Sequence, residues 1–400
     1  MVNGTRRKLD RAAAPVLPED LVQWEILVRL PAKEILRCRA ACRSWRRLTC
    51  DDEFLLAHHH RQPSLPLVSF RSRIIGHLTD AWADASAHVS VDAFDLRRTP
   101  AVRRPLLGFN DCSRRRDFSI HGSCDGLLLL SLANHRFYLC NPATRQWLAL
   151  PALNGGNVAA LYPHRPSGEY RVLYWKLPDK CTSASAAYYV LTVGSSEGQR
   201  CIGLPMAPSP STKSDTTRWL IRACEHPAVL LHDGLHWYPG SNFNSKILVF
   251  DKEAESFRWM QSPIATSSAH LLPMDGKLCI SHIDGDTMIA ELWVLQDYET
   301  EAWSSKYRVE VPGWQLRGQS KIYGKVVSEN GDMLVTRRVP WSNLYLFHCN
   351  SKGKLLQEFQ WKDVNPMVRG LFFKESIVRH VFFQRNDTAR VRVPRFFQGL

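Results

Sequence analysis

Gly122-Ser123-Cys124-Asp125-Gly126-Leu127-Leu128, followed by Phe137-Tyr138-Leu139-Cys140-Asn141-Pro142-Ala143-Thr144-Arg145-Gln146-Trp147, reads as a tight turn, a strand and a second turn. Asp-Gly is favoured in tight hairpin turns because glycine accepts positive φ at no steric cost. Both markers recur along the chain. Asp233-Gly234, Asp275-Gly276 and Asn330-Gly331 repeat the first. Strand-then-turn segments repeat the second: Val89 to Asp95, Phe137 to Asn141, Tyr188 to Ser195, Ile247 to Asp251, Leu292 to Asp297 and Leu344 to Asn350. Their ends are 46, 54, 56, 46 and 53 residues apart, and each Gly-containing pair lies 16 to 22 residues ahead of the next end. An aromatic follows six residues after three of the ends: Trp147, Phe257 and Trp303. A hairpin and further strand recurring at this interval match a four-stranded propeller blade. Six markers predict about six blades, with the recurring aromatic packed between neighbours.

Upstream, from about Pro15 to Arg61, the period becomes helical. Leu21, Trp24 and Val28 fall at helical spacing, with Leu27 and Leu30 beside them. Pro18 and Pro31 suit the first turns of two helices, where a missing N–H costs nothing. Ile35, Cys38 and Cys42 lie on one face of the second helix. Trp45 and Leu48 mark a third, and Asp51 or Asp52 caps a fourth through Phe54, Leu55 and Leu56. Four helices in fewer than 50 residues bury little core alone. Trp24, Leu27, Leu30 and Trp45 exceed what so small a unit hides. Pattern alone leaves two readings, a cap on the following domain or a module that completes its packing on a partner. The predicted organisation is α+β and multidomain. A disordered tail spans 1–14, a small all-α module 15–62 and a large all-β domain, a β-propeller of about six blades, 63–400.

The 400 residues are 44% hydrophobic and 22% charged, an ordinary soluble composition. Residues Met1 to Arg11 are polar and basic with no apolar stretch behind them, so no secretory signal is expected. The longest apolar runs, as at Leu127 to Leu130, fall far short of a membrane span, and no membrane partner is expected. Eleven cysteines without a CxxC pair point to reduced thiols and a cytoplasmic or nuclear location. The sequons at Asn3 and Asn386 are then unused. Net charge is +14, but the basic clusters at 6–8, 103–104 and 114–116 are small and dispersed. That pattern favours a basic, loop-rich surface over a nucleic-acid stripe.

Three sharper motifs fail on their local context. Gly122-Ser123-Cys124-Asp125-Gly126 fits a cysteine form of the nucleophile elbow, but that motif needs a following helix and an extended run follows instead. Cys38, Cys42, Cys50 and His58-His59-His60 lack zinc-module spacing. The thiols read as small buried residues, and the histidines as a solvent-facing helix end. Gly318 to Lys325 is one residue too long for a phosphate loop, and Val326 replaces the required hydroxyl. No catalytic residue, metal or cofactor is expected.

Leu17-Pro18-Glu19-Asp20-Leu21, then Trp24-Glu25-Ile26-Leu27-Val28-Arg29-Leu30-Pro31, then Ile35-Leu36-Arg37-Cys38-Arg39-Ala40-Ala41-Cys42-Arg43-Ser44-Trp45, closely resembles the F-box motif of the plant type. The spacing from Leu17-Pro18 to Glu25-Ile26-Leu27 is one residue longer than the commonest pattern. Gly122 to Leu128 and Asn141 to Trp147 are similar to the early hallmark of the kelch-like F-box-associated domain, and Phe373 to Val378 through Phe382-Phe383 to its close. The resemblance implies a non-catalytic substrate receptor of a Skp–cullin–F-box ubiquitin ligase. The F-box would dock on a Skp-type adaptor, and through it on cullin and RING subunits. The β domain would hold an unknown substrate protein. By analogy the adaptor contacts are Leu17, Pro18, Ile26, Leu27, Leu30, Pro31, Ile35, Cys38, Cys42 and Trp45, with Trp45 and Leu27 as anchors. Readings from other classes are an F-box scaffold outside the ligase, a propeller enzyme and a basic nucleic-acid-binding β protein. The irregular stretches Asn154 to Ser167 and Cys201 to Asp215 are candidate recognition loops.

Overall fold

Leu127 to Leu132 reads Leu-Leu-Leu-Leu-Ser-Leu and is buried along almost its whole length, the pattern of a strand covered on both faces. Leu128 and Leu130 face one hydrophobic cluster, Leu127 and Leu129 another. Such two-sided burial arises when each sheet stands between two others. The computed structural model describes residues 17–72, 87–111, 118–132, 136–153, 156–177, 186–195, 198–206, 226–239, 246–266, 268–311, 321–328, 330–338, 344–361, 364–384 and 395–397. The tail 1–14, the basic cluster 114–116 and the sequon at 386 lie outside them, as does the second candidate loop beyond residue 206.

Residues 64–374 and 379–400 form one unit, residues up to Pro63 together with Glu375–Val378 the other. The larger unit holds six four-stranded antiparallel sheets. The first blade is β1 (Ser64–Ser72), β2 (Ala87–Asp95) and β3 (Val102–Asp111), completed by β24 (Val364–Lys374) beside β1. The second is β4 (Ser119–Cys124), β5 (Leu127–Leu132), β6 (Arg136–Asn141) and β7 (Gln146–Ala149). The third is β8 (Asn157–His164), β9 (Glu169–Lys176), β10 (Ala187–Thr192) and β11 (Arg200–Gly203). The fourth is β12 (Val229–Leu231), β13 (Gly234–Trp237), β14 (Lys246–Asp251) and β15 (Ser256–Gln261). The fifth is β16 (His270–Met274), β17 (Lys277–Ile283), β18 (Ile289–Asp297) and β19 (Ala302–Glu310). The sixth is β20 (Lys321–Val326), β21 (Met333–Arg338), β22 (Leu344–Cys349) and β23 (Leu355–Trp361). Strand β24 packs on β4 and β20, β4 on β8, and β12 on β16, so these strands surround the propeller axis. The expected blade count of about six holds.

Six hydrophobic clusters fill the six gaps between adjacent blades. The recurring aromatics sit there. Phe257 of the fourth blade lies 4.8 Å, ring to ring, from Tyr188 of the third. Trp303 of the fifth donates its indole N–H to the Gln261 carbonyl of the fourth at 3.1 Å. The turn markers close the third strand of their blades: β2, β6, β14 and β18 end on Asp95, Asn141, Asp251 and Asp297. The Asp297 carboxylate accepts from the N–H groups of Glu299 and Thr300 at 2.9 and 3.0 Å, and Asn141 and Asp251 do the same two and three residues on. Asp125-Gly126 and Asp275-Gly276 both have positive φ and join the first two strands of their blades, so the elbow-like motif is a hairpin turn. One expectation fails: Asn154 to Ser167 is mostly strand β8, not a loop.

The smaller unit begins with α1 (Glu19–Leu21), a π-helical turn at Val22–Ile26 and a 3-10 turn at Leu27–Arg29, then α2 (Ala32–Ala41), α3 (Arg43–Leu48) and α4 (Asp52–Arg61). Pro18 and Pro31 cap their helices from outside with φ of −52° and −60°. Asp51 caps α4, accepting from the Phe54 N–H at 3.1 Å.

Phe373 of β24 is buried at the seam where the chain's two ends pair, opposite Leu65. Phe373→Ala is expected to cost about 3–5 kcal/mol of propeller stability, measured by urea unfolding.

Candidate docking surface of the helical unit

Helical spacing brings Leu27, Val28, Ile35, Leu48, Phe54 and Leu55 into the core of the small unit. Trp24 covers Phe54, with ring centroids 6.1 Å apart. Polar contacts complete the packing. The Gln23 amide donates to the Leu48 carbonyl at 3.3 Å, and the Arg39 guanidinium binds Thr49 through its hydroxyl, at 3.2 Å, and its carbonyl. Glu19 accepts from Arg47 at 2.6 Å and Ser44 at 3.0 Å, tying α1 to α3. Those bonds hold the Glu19 carboxyl below its ordinary range.

Glu375–Val378, more than 300 residues downstream, belong to the same unit. The Glu375 carboxylate accepts from the Ala32 N–H at 3.1 Å, satisfying a free amide at the start of α2. Its carbonyl lies 2.9 Å from His59 Nδ1. The histidine run is therefore not a solvent-facing helix end: His58 and His59 are buried, and only His60 is exposed. His58 Nε2 donates to the Leu30 carbonyl at 2.8 Å. Burial holds the His58 imidazole below its ordinary range, although that carbonyl favours the charged form.

The predicted contact residues divide by exposure. Leu27 and Ile35 are buried and belong to the internal core, a division among the ten that sequence alone could not make. Leu30, Pro31 and Cys38 are half-buried. Leu17, Pro18, Ile26, Cys42 and Trp45 are exposed. Cys42 is not the small buried residue expected, since its Sγ accepts from the Trp45 N–H at 3.3 Å and caps α3. Sequence reasoning missed Leu21 and Leu56. The exposed large apolar residues of the unit are Leu17 at 57%, Leu21 at 48%, Ile26 at 46%, Trp45 at 38% and Leu56 at 51%. Arg43 and Arg46, also exposed, flank Trp45 in sequence. Apolar anchors rimmed by charge are typical of protein docking surfaces. Among the described residues no group of metal-ligating side chains occurs.

The family model of the F-box associated β-propeller domain matches residues 109–386, and an F-box-like model matches residues 15–62. The chain belongs to the F-box associated β-propeller family. Its similar relatives are F-box proteins of Arabidopsis thaliana. One is 26% identical over 387 residues, covering 87% of each chain. A putative F-box protein is 25% identical over 392 residues, covering 90% of this chain and 91% of its own. The F-box protein CPR1 is 24% identical over 320 residues, covering 74% of this chain and 73% of its own.

Because His58 is buried with a lowered pKa, the unfolded chain binds more protons there below about pH 6.5, and native stability falls as the pH drops through that window. His58→Gln is expected to flatten the acid limb of helical-unit stability, followed by circular dichroism between pH 7 and pH 5.

Proposed function

We propose that this F-box protein is the substrate-receptor subunit of a Skp–cullin–F-box ubiquitin ligase. The F-box docks on a Skp-type adaptor and, through it, on cullin and RING subunits, while the propeller holds a target protein. The observation that carries this reading is the exposure of five large apolar side chains, Leu17, Leu21, Ile26, Trp45 and Leu56, in so small a unit. The chain's contribution is proximity: a target held beside the conjugating machinery reacts in an effectively unimolecular step. No covalent step falls to this chain, and the place of action is the cytosol or nucleus.

Exposed anchors and internal core separate the two ways a substitution can fail. Trp45→Ala in the full chain is expected to weaken binding of a Skp-type adaptor by about 2 kcal/mol, roughly 30-fold, with an unchanged melting temperature. Leu27→Ala is expected to lower stability by about 2–5 kcal/mol through the cavity it leaves. Calorimetric titration with purified adaptor and thermal unfolding check both. Full adaptor affinity in folded Trp45→Ala, together with Ile26→Ala, contradicts the docking surface.

A further inference from the structure

The strands around the propeller axis carry a run of basic groups that the docking reading does not use. His226 leads into β12 of the fourth blade, His270 opens β16 of the fifth, Lys325 lies on β20 of the sixth, Arg369 on β24 of the first and His121 on β4 of the second. Five neighbouring blades thus each carry a basic residue on or beside their innermost strand. The groups sense one another: Lys325 acts on His226 and His270, and Arg369 on Lys325 and His121.

Two of these groups, His270 and Lys325, are poorly satisfied by their own chain. His270 is 3% exposed, and neither ring nitrogen makes a well-formed hydrogen bond, only an approach to the Val326 backbone. Among the described residues the Lys325 ammonium, with three donors, makes one hydrogen bond, to the Arg369 carbonyl at 3.2 Å. Among the described residues it has no ion-pair partner, yet Lys325 keeps some solvent access. The backbone makes room for it, because a Cβ at Gly370, where φ is +81°, would stand 3.2 Å from Nζ. Burial, then Arg369, brings Lys325 down to about 8. Burial, then Lys325, brings His226 to about 4, and burial first, then Lys325 and His226, holds His270 well below its ordinary range, with the Val326 backbone opposing. No carboxylate is among the charges acting on Lys325, His226 or His270. A partly desolvated cation without a counter-charge costs stability unless an anion answers it.

We propose that the centre of the propeller is an oxyanion-binding site, built by Lys325, His270 and His226, for a compact multivalent anion of the phosphate class. A phosphoryl group offers several acceptor oxygens, which suits an ammonium and imidazoles converging from different blades. It arrives either on a free phosphorylated molecule or on a phosphorylated side chain of a bound protein. The site does not depend on adaptor docking and stands or falls separately from it.

The test is calorimetric titration of the full chain with inorganic pyrophosphate and with a phosphoserine-containing peptide, against chloride at equal ionic strength. Saturable one-site binding is expected. Lys325→Met is expected to weaken it about tenfold or more, the scale of one charge-assisted hydrogen bond. His226→Gln, outside any strand, is a second variant with less risk to folding and the same direction. Tighter binding of pyrophosphate marks a free molecule as the source, tighter binding of the peptide a modified protein, and either supports the site. Sulfate keeps its charge across the neutral range, so its affinity is expected to fall as pH rises through about 8, where Lys325 loses its proton. Binding no stronger than chloride, or equal binding by the wild type and folded Lys325→Met and His226→Gln variants, overturns the proposal.

Discussion

The pairing of β1 with β24 is the constraint on which the rest of the larger unit depends. Ser64 stands opposite Lys374 and the ladder runs to Ser72 opposite Val364, so residues 300 positions apart in sequence are neighbours in one sheet. Every other blade is made from one contiguous stretch of chain. Only the first needs both ends, and without β24 the axis would lose a strand that packs on β4 and β20. Pairing with β24 also covers the edge that β1 would otherwise present at the seam, the usual vulnerability of β architectures. Because hydrophobic clusters lie between blades, no blade buries its own faces, and stability is shared around the circle.

The same return of the chain serves the helical unit. After Lys374, residues Glu375–Val378 join it, and Glu375 satisfies both the Ala32 amide and His59. The first helix of that unit contains another local adjustment. The spacing between Leu17-Pro18 and Glu25-Ile26-Leu27 exceeds the commonest F-box pattern by one residue, and the structure has a five-residue π-helical turn at Val22–Ile26. A π turn takes up one extra residue without breaking the helix. The insertion thus leaves Leu27 and Val28 in the core and Ile26 on the surface.

The propeller was legible in the sequence because its signals are local. An Asp or Asn that accepts from N–H groups two and three residues on, and a pair held at positive φ, state their geometry within four residues. The candidate docking surface was only half legible. Helical spacing placed Trp45 and Leu27 on apolar faces alike, but which face points inward depends on Phe54, Leu48 and a C-terminal segment that no local pattern reveals. The buried histidines were misread for the same reason, since their partners are the Leu30 carbonyl and the Glu375 carbonyl. The basic centre was invisible because its members come from five blades and share no spacing.

Hydrogen–deuterium exchange of the full chain, with and without a purified Skp-type adaptor, addresses the docking surface most directly. New protection is expected over residues 17–26 and 42–48, with exchange in strands β4 to β23 unchanged. Protection confined to the propeller, or none in the helical unit at saturating adaptor, would contradict it.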